Sequence, residues 1–337
     1  GFSMIVEKYF QARTDKVGKV LSWKFFDNQL LTIYTEIQTP EKGIIFSASL
    51  PDESYYLFPL LFKTDSLGNI IWQKEYREYP GKNSKSWVII KIIPTDEGYT
   101  LFMQINLNSM CLLKVDKNGE KILSKDIILT DYDYETYNKI ILLKSGDYLV
   151  CGSSDMLPTN EKKQDTRVIK LNSDGDILWK KTFGVDNISD YPLYFLATID
   201  GGCIIGGGTQ KEDIHSVQNR LIKLDAEGNI QWEKNFDKGL LHIICEVNDG
   251  YIFNFTPPDK EGLMTVIKLD TNGNIITKGD FMAVTGAGAL CPTKHGGFIS
   301  ATQCTKYGAI GEDVLLIKVD KNWKTGPPPK KKAWIKK

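Results

Sequence analysis

The sequence predicts an all-β fold, a β-propeller of six four-stranded blades with one extra hairpin at the N-terminus. Three observations predict it. A phrase close to IKLDxxGNIxW recurs along the chain, a second phrase built on a Gly-containing turn falls between its copies, and the two alternate at a nearly constant period. A four-stranded unit repeated every ~40–50 residues marks propeller blades.

The first phrase is clearest in LIKLDAEGNIQWEKNF (221–236). Leu221, Ile222 and Leu224 form an apolar, β-branched-rich run that suits a strand. Asp225-Ala226-Glu227-Gly228 then reads as a tight turn. Its Asp accepts a bond from a backbone N–H two residues on, and its Gly takes a positive φ. Beyond it, Ile230, Trp232 and Lys234 alternate with Gln231 and Glu233, a period of two that belongs to a strand. Copies are LFKTDSLGNIIWQKEY (61–76), LLKVDKNGEKILSK (112–125), VIKLNSDGDILWKK (168–181), VIKLDTNGNIITKG (266–279) and LIKVDKNWKTG (316–326). A worn copy, ARTDKVGKVLSWKF (12–25), opens the chain. The basic anchors Arg13, Lys63, Lys114, Lys170, Lys223, Lys268 and Lys318 are spaced by 50, 51, 56, 53, 45 and 50 residues.

The second phrase has six copies, EKGIIFSAS (41–49), DEGYTLFMQ (96–104), SGDYLVCGS (145–153), DGGCIIGGG (200–208), DGYIFNF (249–255) and HGGFISATQ (295–303). Another apolar run precedes each copy, so one period holds strands A, B, C and D. We read a single domain, 1–337: a hairpin at 1–26 expected to help close the ring, blades over 27–325, and a segment at 326–337 as the last outer strand, with Trp334 in the place of Trp232. Closing matters because an open edge strand invites aggregation. Seven blades, one incomplete, is the alternative.

Forty-two basic residues balance 42 acidic ones, so nucleic acid is not an expected partner. No apolar run reaches the ~18 residues of a transmembrane segment. Cys111, Cys151, Cys203, Cys245, Cys291 and Cys304 stand singly in or beside apolar runs and read as buried small hydrophobes. With His215, His242 and His295 scattered, no metal site and no cofactor is expected. The turn aspartates are explained by turn chemistry without calcium. A monomer is expected.

The combined phrase DGGxxxxG…IKLDxxGNIxWxK resembles a broad set of bacterial β-propeller repeat proteins, many of them exported or surface-anchored lipoproteins of unassigned activity. That resemblance implies an extracytoplasmic location, periplasmic or cell-surface. Single free-thiol cysteines keep a cytoplasmic alternative open. Trp72, Trp179 and Trp232 look distantly like the outer-edge tryptophans of PQQ-dependent dehydrogenase blades, but no adjacent cysteines accompany them. LNSDGDILW (171–179) is similar to the Asp-box of sialidases. Those enzymes need an arginine cluster, and this chain has Arg13, Arg77, Arg167 and Arg220 only. Fold alone does not carry function.

The repeated tryptophans and lysines read as scaffold. The A–B and C–D turns are stereotyped and share one face, while the B–C and D–A loops vary and share the other, where recognition is expected. Three D–A stretches stand out there. EYREYPGKNSKSW (75–87) offers Tyr76, Arg77, Tyr79 and Trp87. TDYDYETY (130–137) offers Asp131, Tyr132, Asp133, Tyr134 and Tyr137, and DNISDYPLY (186–194) offers Asp186, Asp190 and Tyr191. Arg167 and Arg220, three residues before their blade lysines, complete the candidate ligand-binding set. Tyrosines stack on sugars or anchor proteins, and carboxylates bind hydroxyls. The expected function is a non-catalytic binding propeller for a protein or glycan, with no catalytic residues assigned. The alternative is a carbohydrate-active lyase or hydrolase at the channel mouth, for which Glu36, Glu246 and His242 are the carboxylate and imidazole candidates.

Overall fold

The computed structural model describes residues 9–14, 20–26, 32–51, 57–77, 87–105, 109–129, 135–156, 163–184, 189–210, 218–260, 262–282, 290–304 and 313–325. All secondary-structure elements among them are strands. The hairpin β1 (Tyr9–Thr14) and β2 (Val20–Phe26) is an antiparallel pair of its own. The first blade sheet runs in order through β3 (Thr32–Gln38), β4 (Ile44–Pro51), β5 (Leu57–Thr64) and β6 (Ile70–Glu75). The second holds β7 (Val88–Pro94), β8 (Gly98–Gln104), β9 (Ser109–Asp116) and β10 (Lys121–Ile128). The third holds β11 (Glu135–Leu142), β12 (Tyr148–Met156), β13 (Lys163–Leu171) and β14 (Ile177–Phe183). The fourth holds β15 (Ser189–Ala197), β16 (Cys203–Gln210), β17 (Gln218–Leu224) and β18 (Ile230–Lys238). The fifth holds β19 (Leu240–Val247), β20 (Gly250–Thr256), β21 (Leu263–Leu269) and β22 (Ile275–Met282). The sixth has three strands among the described residues, β23 (Leu290–Pro292), β24 (Phe298–Cys304) and β25 (Asp313–Val319). A bridge from Val319 to Thr325 starts a fourth. The expected outer strand at 330–337 lies outside the described residues.

This is the up-and-down blade order the repeats predict, with four strands in five sheets and three in the sixth among the described residues, and a hairpin in front. The described chain forms two compact units, Gly1–Asn138 with Leu171–Leu178, and Lys139–Lys170 with Trp179–Lys337. In the first unit the core gathers Ile45 and Leu61 with Trp87, Ile89, Leu101 and Leu113, from the first two sheets. In the second unit one cluster joins Leu149, Cys151 and Val168 to Cys203, Ile205 and Ile222. Another joins Ile204 and Leu221 to Ile244, Phe253 and Phe255, and a third joins Ile252, Met264 and Val266 to Leu290, Phe298 and Val319. Second strands such as β8 and β20 are buried almost throughout, and β20 is packed on one side by the fourth sheet and on the other by the sixth. Fourth strands such as β14 and β18 are mostly exposed along their length.

The C–D turns explain the recurring phrase. Asp225 Oδ1 accepts from the N–H groups of Glu227 at 3.0 Å and Asn229 at 2.7 Å, and Oδ2 accepts from Asn229 Nδ2 at 3.0 Å. Asp65, Asp116, Asp270 and Asp320 accept the same pair of backbone bonds, and Asn172 does so in the third sheet. The turn glycine has φ between 75° and 85° at Gly68, Gly119, Gly175, Gly228 and Gly273.

The same glycines are the seats of the tryptophans. A Cβ on Gly119 would lie 3.1 Å from the Trp72 ring, one on Gly228 2.8 Å from Trp179, and one on Gly273 2.9 Å from Trp232. Each ring therefore leaves its outer strand and lies on the next sheet's C–D turn. Trp72 Nε1 donates to Lys117 O at 3.1 Å and Trp232 Nε1 to Thr271 O at 2.8 Å. The matching acceptor for Trp179 is Ala226 O, which instead takes a bond from Lys170 Nζ at 3.2 Å. In the last pair the sizes are exchanged. Thr277 stands where the tryptophan would be, and Trp323, at φ 62°, stands where the glycine would be. Trp323 packs against Phe281 at 6.0 Å and Phe298 at 5.5 Å between centroids.

Three anchor lysines tie their C strand to its own A–B turn. Lys223 Nζ, 1% exposed, meets Asp200 Oδ2 at 2.7 Å and Leu224 O at 2.8 Å. Lys268 meets Asp249 at 2.6 Å and Lys170 meets Asp147 at 3.5 Å. Lys114 reaches Asp174 of the next turn at 2.7 Å instead, and Lys63 lies 6.0 Å over the Tyr99 ring.

Candidate functional site

The sequence-predicted loop residues divide three ways. Tyr76 and Trp87 are corrected to core positions. Tyr76 is buried and donates its hydroxyl to Gly119 O at 3.0 Å, and burial pushes the phenol well above its ordinary range. Trp87 is buried, donates Nε1 to Tyr76 O at 3.1 Å and meets Phe58 edge-on at 5.1 Å. The two rings thus brace the base of the D–A loop rather than face solvent. Burial of their apolar area outweighs any exposure gained in a loop. Arg77 pairs with Glu75 at 2.7 Å and lies 5.0 Å over the Phe58 ring, still half exposed. Arg220 is also a correction: it is buried against its own sheet, its Nε donating to Glu233 Oε1 at 3.0 Å. Arg167 is half-buried.

Asp190 and Tyr191 fall inside strand β15, opposite Thr209 and Gly208, and Tyr137 falls inside β11, so these strands start earlier than the sequence predicts. Tyr79, Asp131, Tyr132, Asp133, Tyr134 and Asp186 lie outside the described residues, as do the side chains of Tyr137, Asp190 and Tyr191.

The described residues hold a cleft of about 810 Å³ in the second unit. It opens where β18 ends and the B–C loop of the fifth sheet begins, and runs along β21 and β22 to Ile275. Its floor is apolar. Phe236, Phe255 and Ile267 are buried, and Phe236 stacks edge-on against Phe253 at 4.8 Å. Its rim is charged. Lys278 Nζ bonds Asp237, and Lys260 Nζ meets Asp280 Oδ2 at 2.6 Å. Thr265 donates to the other Asp280 oxygen at 2.7 Å. The bond from Lys260, the largest influence, holds the Asp280 carboxyl below its ordinary value and outweighs the cost of burial. That same bond raises Lys260 above its own. Asn219 Nδ2 bonds Asp237 O at 2.8 Å and fixes the strand end beneath the rim. Pro257 and Pro258 stiffen the loop that carries Asp259 and Lys260. Both rim pairs are surface pairs, worth little to stability and easily exchanged for a ligand's charges.

The cleft was missed in the sequence because its parts come from separate repeats. Asp237 and Lys278 are 41 residues apart, and each reads alone as an ordinary solvated charge. The available signal is the fifth copy itself, where Gly279-Asp280 and a PPDK loop replace the usual pattern.

Two of the carboxylate and imidazole candidates for catalysis can be placed together. Glu246 grips the A–B turn of the fourth sheet, both oxygens accepting from Ile199 N at 3.1 and 2.9 Å. His242 bonds Thr256 Oγ1 at 2.8 Å through Nε2, and burial holds its pKa below the ordinary value. They stand four positions apart on β19, ~13 Å along the strand backbone. Among the described residues no group of three or more His, Cys, Asp or Glu is placed to hold a metal ion.

No family model and no curated protein matches this chain. Solved structures do. Dihydro-heme d1 dehydrogenase NirN in complex with DHE aligns over 93% of this chain and 68% of its own, at TM-score 0.56 and 12% identity. A polysaccharide lyase of family PL25, an ulvan lyase, aligns over 87% of this chain and 80% of its own, at TM-score 0.54 and 10% identity. Prolyl oligopeptidase B from Galerina marginata aligns over 88% and 40%, at TM-score 0.51 and 12% identity. At such identities the likeness is one of fold, and together with the six repeated sheets it defines the class: the chain is a β-propeller.

Proposed function

We propose that this propeller is a non-catalytic binding protein that recognises a protein or glycan through the end bearing its B–C and D–A loops. The observation that carries the reading is the cleft beside β18 and the PPDK loop, with its aromatic floor and its rim of two exchangeable ion pairs. A floor of this kind receives an apolar ring face while the rim meets hydroxyl or charged groups. The repeated turns make a poor competitor, since their carboxylates and amides are spent on one another. Glu246 is engaged by the Ile199 amide and His242 by Thr256, which weighs against a sugar-cleaving pair built from them.

The test is to screen glycan and peptide panels by thermal shift, then to incubate every binder with the protein and look for product. The reading expects at least one binder, no turnover, and at least a tenfold loss of affinity in Lys260→Glu/Lys278→Glu. Release of cleaved sugar from a bound polysaccharide would replace it with the lyase or hydrolase alternative.

A further inference from the structure

We propose that Cys245 and Cys291 form a reversible disulfide that staples the first strands of the fifth and sixth sheets. Strand β23 packs against β19. Cys245 Sγ donates to Leu290 O at 3.3 Å. Leu290 O belongs to the peptide that carries the Cys291 nitrogen, so the Cys291 Cα lies no more than ~6 Å from that sulfur. A disulfide needs Cα atoms ~4.4–6.8 Å apart, and both side chains must turn for the sulfurs to meet, Cys245 from Leu290 O and Cys291 from Pro292 O. The electrostatics agree with the proximity. Burial, then the neighbouring Cys291, push the Cys245 thiol up to about 11.

Among the cysteines whose side chains are described, accessibility singles out this pair. Cys291 is exposed and Cys245 half-buried, whereas Cys111, Cys151 and Cys203 are buried. Cys151 also senses Cys203, but both sit inside the core between the third and fourth sheets, where no oxidant reaches. The exposed Cys291 corrects the expectation that the cysteines are uniformly buried hydrophobes.

A small disulfide such as oxidised glutathione supplies the oxidant. The Cys291 thiolate attacks one of its sulfurs and expels a glutathione thiolate, leaving a mixed disulfide. Cys245 then loses its proton to solvent and attacks the Cys291 sulfur, expelling the second glutathione. Two protein thiols lose two electrons in total, and one oxidised glutathione becomes two reduced ones. The product encloses β20, β21 and β22 of the fifth sheet and ties its first strand to the sixth sheet, which has three strands among the described residues. The redox state of the surroundings thereby sets the stability of the C-terminal part of the propeller.

The experiment uses the full chain. It is treated with oxidised glutathione, its remaining thiols are alkylated, and it is digested without reductant for peptide mass mapping. The expected result is a linked peptide pair carrying Cys245 and Cys291. It is absent from Cys245→Ser and Cys291→Ser, and it is accompanied by a rise in thermal midpoint of about 2 °C or more that dithiothreitol reverses. Full alkylation of both cysteines after oxidation, a glutathione adduct on Cys291 that goes no further, or a link to a different cysteine would each overturn the proposal. Serine is close in size to cysteine and Cys291 is exposed, so Cys291→Ser keeps the comparison valid even if a change at Cys245 disturbs packing.

Discussion

At the scale of single residues, the turn glycines serve two purposes, and substitutions separate them. Gly228 needs a positive φ and leaves room for Trp179, whereas Gly146, at φ 88°, has nothing within 4 Å of where a Cβ would sit. Gly228→Ala should therefore cost about 2–4 kcal/mol, strain plus displaced packing, and Gly146→Ala only about 1 kcal/mol. Urea denaturation of the two variants measures the difference. Trp323 inverts the rule by accepting a left-handed backbone in exchange for contact with Phe281 and Phe298. Trp323→Gly should relieve about 1 kcal/mol of strain yet destabilise the chain by about 2 kcal/mol net, because the aromatic contacts weigh more. This exchange of large and small was half legible in sequence. Missing Trp at Thr277 and missing Gly at Trp323 are both visible in the repeats, but only the stacking of sheets shows where the Trp323 ring goes, onto Phe281 and Phe298.

At the scale of strands and turns, the lysine tethers decide how the A–B and C–D ends are held. Burial pushes the Asp200 carboxyl up, but bonds from Lys223, Thr198 and Gly202 outweigh it and hold it below its ordinary value. A carboxyl lowered on folding contributes stability that is present above its unfolded value and lost as pH falls through the folded one. Asp200→Asn should lower stability at neutral pH by about 2 kcal/mol and flatten the acid limb below pH ~4, as denaturation across a pH series would show. Strand order and turn positions were readable because each hairpin carries its own chemistry, Asp for the amide bonds and Gly for the turn. Loop residues were less so. Tyr76 and Trp87 flank a variable stretch and look like surface aromatics, yet they are buried by a neighbouring strand pair that local sequence does not name. Arg220 likewise finds Glu233 only because β17 and β18 pair in register.

At the scale of the whole molecule, the division of labour follows from repetition. Side chains that recur from sheet to sheet are consumed by neighbouring sheets, as Trp232 is by the turn at Thr271 and Gly273. Positions that do not recur are free to differ, and Asp237, Lys260 and Lys278 are of that kind. The most direct test is amide hydrogen exchange with and without a binder from the screens. Protection concentrated at 235–238, 256–260 and 278–280, with the turns at 225–229 and 270–274 unchanged, is the predicted result. Protection at those turns, with the cleft exchanging as before, would contradict the account.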